Sequence, residues 1–391
     1  MKKKFWVIYL LVLFGSLWVN VDKVNAETQV AGEGLKVETT VVSNDIEEFA
    51  KKDFSLSLSS ILILEENTKS INDFVLGSSF SMFDGEDAEK STIYYPVFFN
   101  DKVEYLYLVR DNGEYGFTSS LTRFLVDEIN SILSTNEGQI VSFFVSNNDI
   151  YFKVNDGLEK IYEAPKENQI PWVAQPDPAV NIAVPTEDVE VKDVSVETQV
   201  DVQSNSDPSK ARSSLSVSPT HTMISFAINE IQTDLPWCAA YAVAGILSNK
   251  QDARPTRAID ILNYTFPSLT PAERQTKGVN QDQLVQYGRS RSTAPIRVGS
   301  VIYHDQILTD LRKGNAIYLG TQGYSGSTSI NKSRHAFALF GWVDHGIGAH
   351  RVYYLWNPWW NYPMTVLGDT YPFVIPVPGG SYVWDSTIYN W

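Results

Sequence analysis

The chain has 391 residues, 43% hydrophobic and 13% aromatic, with a formal net charge of −15 and one cysteine. That much apolar material excludes a disordered chain and suffices for two or three packed domains, while a lone cysteine excludes an internal disulfide and leaves stability to packing. The charge is uneven, with 14 basic and 34 acidic residues in 27–215 against 13 and 11 in 216–391, so no basic patch calls for nucleic acid or an anionic membrane as partner.

Residues 2–4 are lysines, Phe5 to Val19 is apolar, and Val24-Asn25-Ala26 has the small-x-small pattern of a signal peptidase site. The apolar run falls short of the ~20 residues that span a bilayer, so 1–26 reads as a signal peptide and the expectation is an exported, extracellular chain without stable membrane insertion. From 27 to 174 strand-like and helix-like patterns alternate. Tyr94–Phe99, Tyr105–Arg110, Ile140–Val145 and Ile150–Val154 are aromatic or β-branched runs, with turn signals at Asn100-Asp101 and Asn147-Asn148-Asp149. Ser119–Leu133 sets Leu121, Phe124, Leu125, Ile129, Ile132 and Leu133 at helical spacing. This describes a small acidic α+β domain with a mostly antiparallel sheet, without Cys or His, and with its carboxylates as a solvated face.

From 175 to 215 the composition turns to Pro, Val, Glu, Asp, Ser and Thr with no aromatic residue, the mark of a flexible linker. Val189–Val194 alternates as an edge strand on a neighbour would. Lys210 and Arg212 lie in a polar stretch suited to proteolytic nicking, so an activation site is expected there. The domain that follows, 216–391, begins its helices at about Trp237, with Asp234 and Pro236 as start signals. Further helices are expected over Pro255–Tyr264, from the cap Asn280 to Tyr287 with Gly288 as terminator, and over His304–Lys313 before Gly314. Asn315–Leu319 reads as a strand and Gly320–Ser329 as a mobile loop. Helices come first and strands last.

The only cysteine, Cys238, stands where the buried helix Cys238–Leu247 begins, and a helix N-terminus favours a thiolate. Far downstream, His335–Val343 and Arg351–Trp356 are apolar strands joined through Gly346 and Gly348. Folded as a hairpin, they bring Asn357 opposite His335 or within a residue or two of it, and Pro358 ends the second strand. His345 and His350 are expected as surface turn residues, with no acidic or cysteine cluster to make a metal site. His221 and His304 have no evident partners.

Gln232, Trp237-Cys238-Ala-Ala-Tyr, His335-Ala-Phe-Ala-Leu and Trp356-Asn357-Pro-Trp together resemble the papain-like cysteine peptidases, most closely the secreted staphopain family. The resemblance covers only the last ~175 residues, one domain's length. It implies a two-lobed α+β catalytic domain, a helical lobe facing an antiparallel β-barrel-like lobe, preceded by the small α+β domain as a pro-domain. It also implies Cys238 as nucleophile, His335 as base, Asn357 as the residue that orients it, and Gln232 with the Cys238 N–H as oxyanion hole. Trp237 and Trp359 are candidates for the cleft wall, although core packing is the default for tryptophan. The family motif has glycine where Ala240 stands, which bears on substrate preference through a narrower cleft.

The function implied is a secreted endopeptidase made as a zymogen, working through a resting thiolate–imidazolium pair and a thioester acyl-enzyme on protein or peptide substrates. No cofactor or metal is expected. The pro-domain would serve as intramolecular inhibitor, and the reading leaves room for a dedicated protein inhibitor. The alternatives are a cysteine–histidine cell-wall amidase, a transglutaminase-like or bacteriocin-processing enzyme with aspartate third, and a non-enzymatic adhesin on a protease scaffold.

Overall fold

The computed structural model describes residues 36–37, 40, 42–84, 92–136, 139–146, 149–155, 157–165, 219–250, 255–324, 330–346, 351–368 and 372–391. The expected signal peptide, the expected linker and His350 lie outside them. The first part runs β1 (Lys36–Val37), α1 (Asn44–Leu64), β2 (Phe74–Leu76), β3 (Met82–Asp84), β4 (Thr92–Phe99), β5 (Lys102–Asp111), β6 (Phe117–Thr122), α2 (Val126–Thr135), β7 (Ile140–Ser146), β8 (Asp149–Val154) and β9 (Gly157–Tyr162). The second part runs β10 (Thr220–Met223), α3 (Cys238–Ser248), α4 (Ala258–Thr265), α5 (Pro271–Arg274), α6 (Gln281–Ser290), β11 (Ile296–Val298), α7 (His304–Arg312), β12 (Ile317–Tyr324), β13 (Ile330–Asp344), β14 (Arg351–Trp356), β15 (Pro363–Leu367), β16 (Val374–Val377) and β17 (Gly380–Tyr389). The chain is thus α+β with mainly antiparallel pairing.

Helix α1 starts where the Ser43 Oγ accepts from the Ile46 N–H, with Asp45 and Glu47 in the first turn, where acidic side chains suit the helix dipole. Its buried face packs Leu58, Ile61 and Leu62 against Tyr105, Tyr107 and Leu121 of β5 and β6. The Ser119–Leu133 pattern resolves into two elements: Phe117–Thr122 is a strand and the helix starts at Val126. Backbone pairing with β5 on one side and β15 on the other captures Ser120, Leu121 and Thr122, and this long-range ladder overrides the helical spacing.

That last pairing joins the two parts. Among the described residues one 12-stranded sheet runs in the order β11-β17-β12-β13-β14-β15-β6-β5-β4-β2, with β10 added on β13 and β16 on β17. A smaller sheet holds β1, β3, β7, β8 and β9.

Helix α3 lies on the face of β12–β14 that carries Tyr318, Ala336, Ala338 and Tyr354. Its Gly245 sits so close to β14 that a Cβ would stand 2.6 Å from the Trp356 ring. The opposite face of these strands carries Ile317, Leu319, Phe337 and Leu355 in a second core with Trp359 and Trp384. Asn280 caps α6 as expected, accepting from the Gln283 N–H at 3.0 Å. Gly288, however, is inside that helix, which runs on to Ser290. It is small because Pro295, Thr293 and Trp391 crowd it, a Cβ there meeting the Trp391 ring at 3.0 Å. The expected loop 320–329 is strand as far as Tyr324, held by β13 and β17 on its two sides, and residues 325–329 are outside the described set.

Candidate active site

Cys238 is the first residue of α3, and Trp237 before it has φ −113° with no side-chain cap bond. Asp234 therefore does not cap this helix; residues 233–237 are instead turned by N–H bonds from Leu235 to Thr233 O and from Trp237 to Leu235 O. The Trp237 side chain makes no capping bond, and the thiol stands at the positive pole of the helix. The Sγ of Cys238 lies 4.0 Å from the Arg334 carbonyl oxygen, so the helix start abuts the strand that carries His335.

His335 is fixed from both ends. Its own carbonyl accepts from Thr321 Oγ1 at 3.0 Å, and its Nε2 meets Asn357 Oδ1 at 2.8 Å. The same Oδ1 accepts from the Trp359 N–H at 3.0 Å, which identifies it as an acceptor and makes His335 Nε2 the protonated nitrogen. The other nitrogen, Nδ1, is buried and without a partner, so its lone pair is the basic site. Trp359 lies 4.0 Å from the imidazole centroid to centroid, Phe337 meets it edge-on at 4.9 Å, and Tyr382 stands at 5.2 Å. The hairpin places these groups as its register requires: Ala338 pairs with Trp356, and a bulge intervenes before Gly341. His335 is thus within two positions of the residue opposite Asn357.

The rings enclose the imidazole at 2% exposure. Burial pushes its pKa down to about 3, with the Asn357 hydrogen bond acting in the opposite direction. A thiolate close to the ring would act against that desolvation. In Cys238→Ala protein we expect the ring to stay neutral down to about pH 3, read from the His335 side-chain nitrogen shifts. The sign for stability follows. A folded pKa below the unfolded ~6.5 gives stability that is complete above pH ~6.5 and is lost as pH falls towards the folded value. A His335 that titrates near 6.5 in that variant would remove burial as the cause.

Gln232 is brought to the site by its backbone N–H, which donates to Pro358 O at 2.8 Å. Its side-chain Nε2 donates to Leu235 O at 2.7 Å, leaving one N–H of the amide for another acceptor, and its Oε1 is buried without a partner. Trp237 is core, its Nε1 donating to Arg274 O at 3.2 Å. Trp359 is buried in the second core, with its ring packed against the His335 imidazole. Trp356 is core, and Trp360 stacks on Phe124 at 4.5 Å. Ala240 is fully buried.

His345 departs from its expected surface position. It is 4% exposed, with Nε2 at 2.8 Å from Ser60 Oγ of α1, because α1 covers the end of β13. His304 sits against Trp342 with Nδ1 at 2.9 Å from Tyr353 OH. Among the described residues no three His, Cys, Asp or Glu side chains group as a metal site, and no helix is long and apolar enough to cross a membrane. Sequence reasoning missed Phe337 and Tyr382 as walls of the imidazole. Phe337 had a signal, since it stands two positions from His335 on one strand face; Tyr382 arrives through β17 and had none.

Residues 217–391 match the family model for staphopain peptidase C47. The chain is similar to "Staphopain B" of Staphylococcus aureus, 20% identical over 368 residues that cover 90% of this chain and 88% of that one. It is also similar to an "Extracellular cysteine protease" of Staphylococcus epidermidis, 23% identical over 415 residues that cover the whole of both.

Proposed function

We propose, for a chain whose residues 217–391 belong to the staphopain-like cysteine peptidases, a secreted papain-like endopeptidase with Cys238, His335 and Asn357 as its triad. The observation that carries this is the unpartnered, buried Nδ1 of an imidazole whose Nε2 is held by Asn357, on a strand that abuts the cysteine at a helix start. His335 Nδ1 takes the proton of the Cys238 thiol, and the resulting thiolate attacks the scissile carbonyl carbon, forming the S–C bond as the carbonyl π electrons move to oxygen. The Cys238 N–H and the remaining N–H of Gln232 stabilise that oxyanion. Collapse breaks the C–N bond, and the leaving amine takes the proton from His335 Nδ1, leaving a thioester. Water then attacks the thioester, His335 Nδ1 accepts its proton, and the thiolate departs. Asn357 keeps the ring aligned through both transfers.

The name of the S. epidermidis relative supports an extracellular location. Cleavage of a peptide library by the chain, followed by mass spectrometry, tests the reaction. Scission of ordinary peptide bonds, lost on blocking Cys238, is expected. Hydrolysis confined to cell-wall peptide linkages would replace this reading with the amidase, and no hydrolysis at all would favour the adhesin.

Latency belongs to the same reading, with 27–174 as pro-domain and 175–215 as the cleavable linker. Support comes from the contacts of the first part beside the site. Phe124 stacks on Trp360, next to the Trp359 that covers His335. The Arg110 guanidinium lies 4.9 Å from the Tyr324 ring at the end of β12. Wild-type precursor should hydrolyse peptides at least about tenfold more slowly than enzyme cleared of its first part. Equal rates would rule latency out.

A further inference from the structure

Among the described residues, backbone pairing and side-chain contacts join the two parts. Strand β6 is hydrogen-bonded to β15 in antiparallel register, Thr122 with Met364, Leu121 with Thr365 and Ser120 with Val366. Side chains extend the ladder: Ser120 Oγ donates to Pro376 O at 2.8 Å, and Tyr354 OH donates to Ser60 O of α1 at 2.9 Å. Ile63 and Leu64 of α1 pack on the core that surrounds α3. Without β6, the backbone of β15 would be a bare edge flanked by the fully buried Met364, Thr365 and Val366. An apolar edge of that kind is satisfied by a strand and penalised by water. Cutting the linker leaves these described contacts in place. It removes the tether, which lowers the effective concentration of the first part.

We propose that residues 36–165 stay bound after linker cleavage as a separate chain, with β6 donated to the β15 edge, and that their departure rather than the cut is the activating step. The partner surface is the β15 edge together with Tyr354 and Trp360, and its occupant is this chain's own first part. The proposal rests on the latency reading above. It also refines that reading, by separating the cut in the linker from the departure of the pro-domain.

The test uses full-length Cys238→Ala protein with the recognition sequence of an unrelated specific protease inserted at about residue 200. After complete cutting, size exclusion at neutral pH should give one peak containing both chains, which separate only in denaturant. Two peaks under native conditions would overturn the proposal. Phe124→Ala, which removes the ring on Trp360, should raise the dissociation rate of the cut complex about tenfold; Tyr354→Phe, which loses only the bond to Ser60, serves if the first variant does not fold. An unchanged rate in a folded variant would remove that contact from the interface. The same cut made in wild type separates the two claims. A cut complex that holds together while intact precursor is fully active would defeat latency and leave the strand pairing standing. Chains that part on cutting, from a latent precursor, would defeat the pairing and leave latency standing.

Discussion

Cys238→Ser should lower kcat/KM by about 10,000-fold or more while leaving the fold intact. The thiol is 3% exposed at the start of α3, so an oxygen in place of sulfur adds no bulk to the core. Chemistry is where the change acts. A serine hydroxyl must surrender its proton to the base as it attacks, and burial holds the His335 imidazole well below its usual basicity. The helix terminus that favours a thiolate cannot bring an alcohol near ionisation at neutral pH. Peptide hydrolysis by purified wild type and variant measures the loss, with unfolding curves agreeing within about 1 kcal/mol as the control. A serine variant within a hundredfold of wild type would mean that Cys238 is not the nucleophile.

Asn357→Ala should reduce kcat about a hundredfold and leave KM nearly unchanged, because ring alignment matters in the proton-transfer transition states. It should also cost about 1–3 kcal/mol of stability, since one buried Oδ1 accepts from both His335 and the Trp359 N–H. The two losses are separable by Asn357→Asp, which keeps an acceptor for both donors. Its carboxylate would hold the imidazolium against deprotonation, so the pH optimum moves upward while stability near neutrality recovers. pH–rate profiles and denaturant curves of all three proteins check this. A well-folded Asn357→Ala protein with near-wild-type kcat/KM would remove Asn357 from the mechanism.

What could be read from the residues alone was whatever local chemistry determines. The Cys238 helix announces itself by an unbroken apolar run, and Pro358 stops β14 because it lacks an N–H. The hairpin from His335 to Asn357 followed from counting outward from its turn, which is why the His335–Asn357 contact was within reach. Tertiary partners left no such trace. Ser119 and Ser120 read as polar positions in a helix, yet in the sheet their hydroxyls serve Asp53 and the Pro376 carbonyl. His345 read as a turn residue because α1, which buries it, lies 285 positions upstream. Gly288 looked like a helix stop, whereas its smallness answers to Trp391 at the far end of the chain. Asp234 had the right residue type for a cap, but the turns at Leu235 and Trp237 place it outside the helix start.

The pairing of β6 with β15 also sets the order in which the molecule can assemble. Contacts such as Ser60 with Tyr354 join residues 294 positions apart, whereas β13 and β14 form a hairpin from neighbouring sequence. Local hairpins and helices close in microseconds, but a sheet that joins distant segments must first confine a long loop, and chains dominated by such pairings fold slowly. The join between the halves is therefore the expected slow phase of refolding. Shortening the intervening chain would speed it little, because closure entropy grows only with the logarithm of loop length. Until that join is made, both β6 and β15 remain open to strands of other molecules, so refolding yield should fall with protein concentration more steeply than the rate of hairpin formation would suggest.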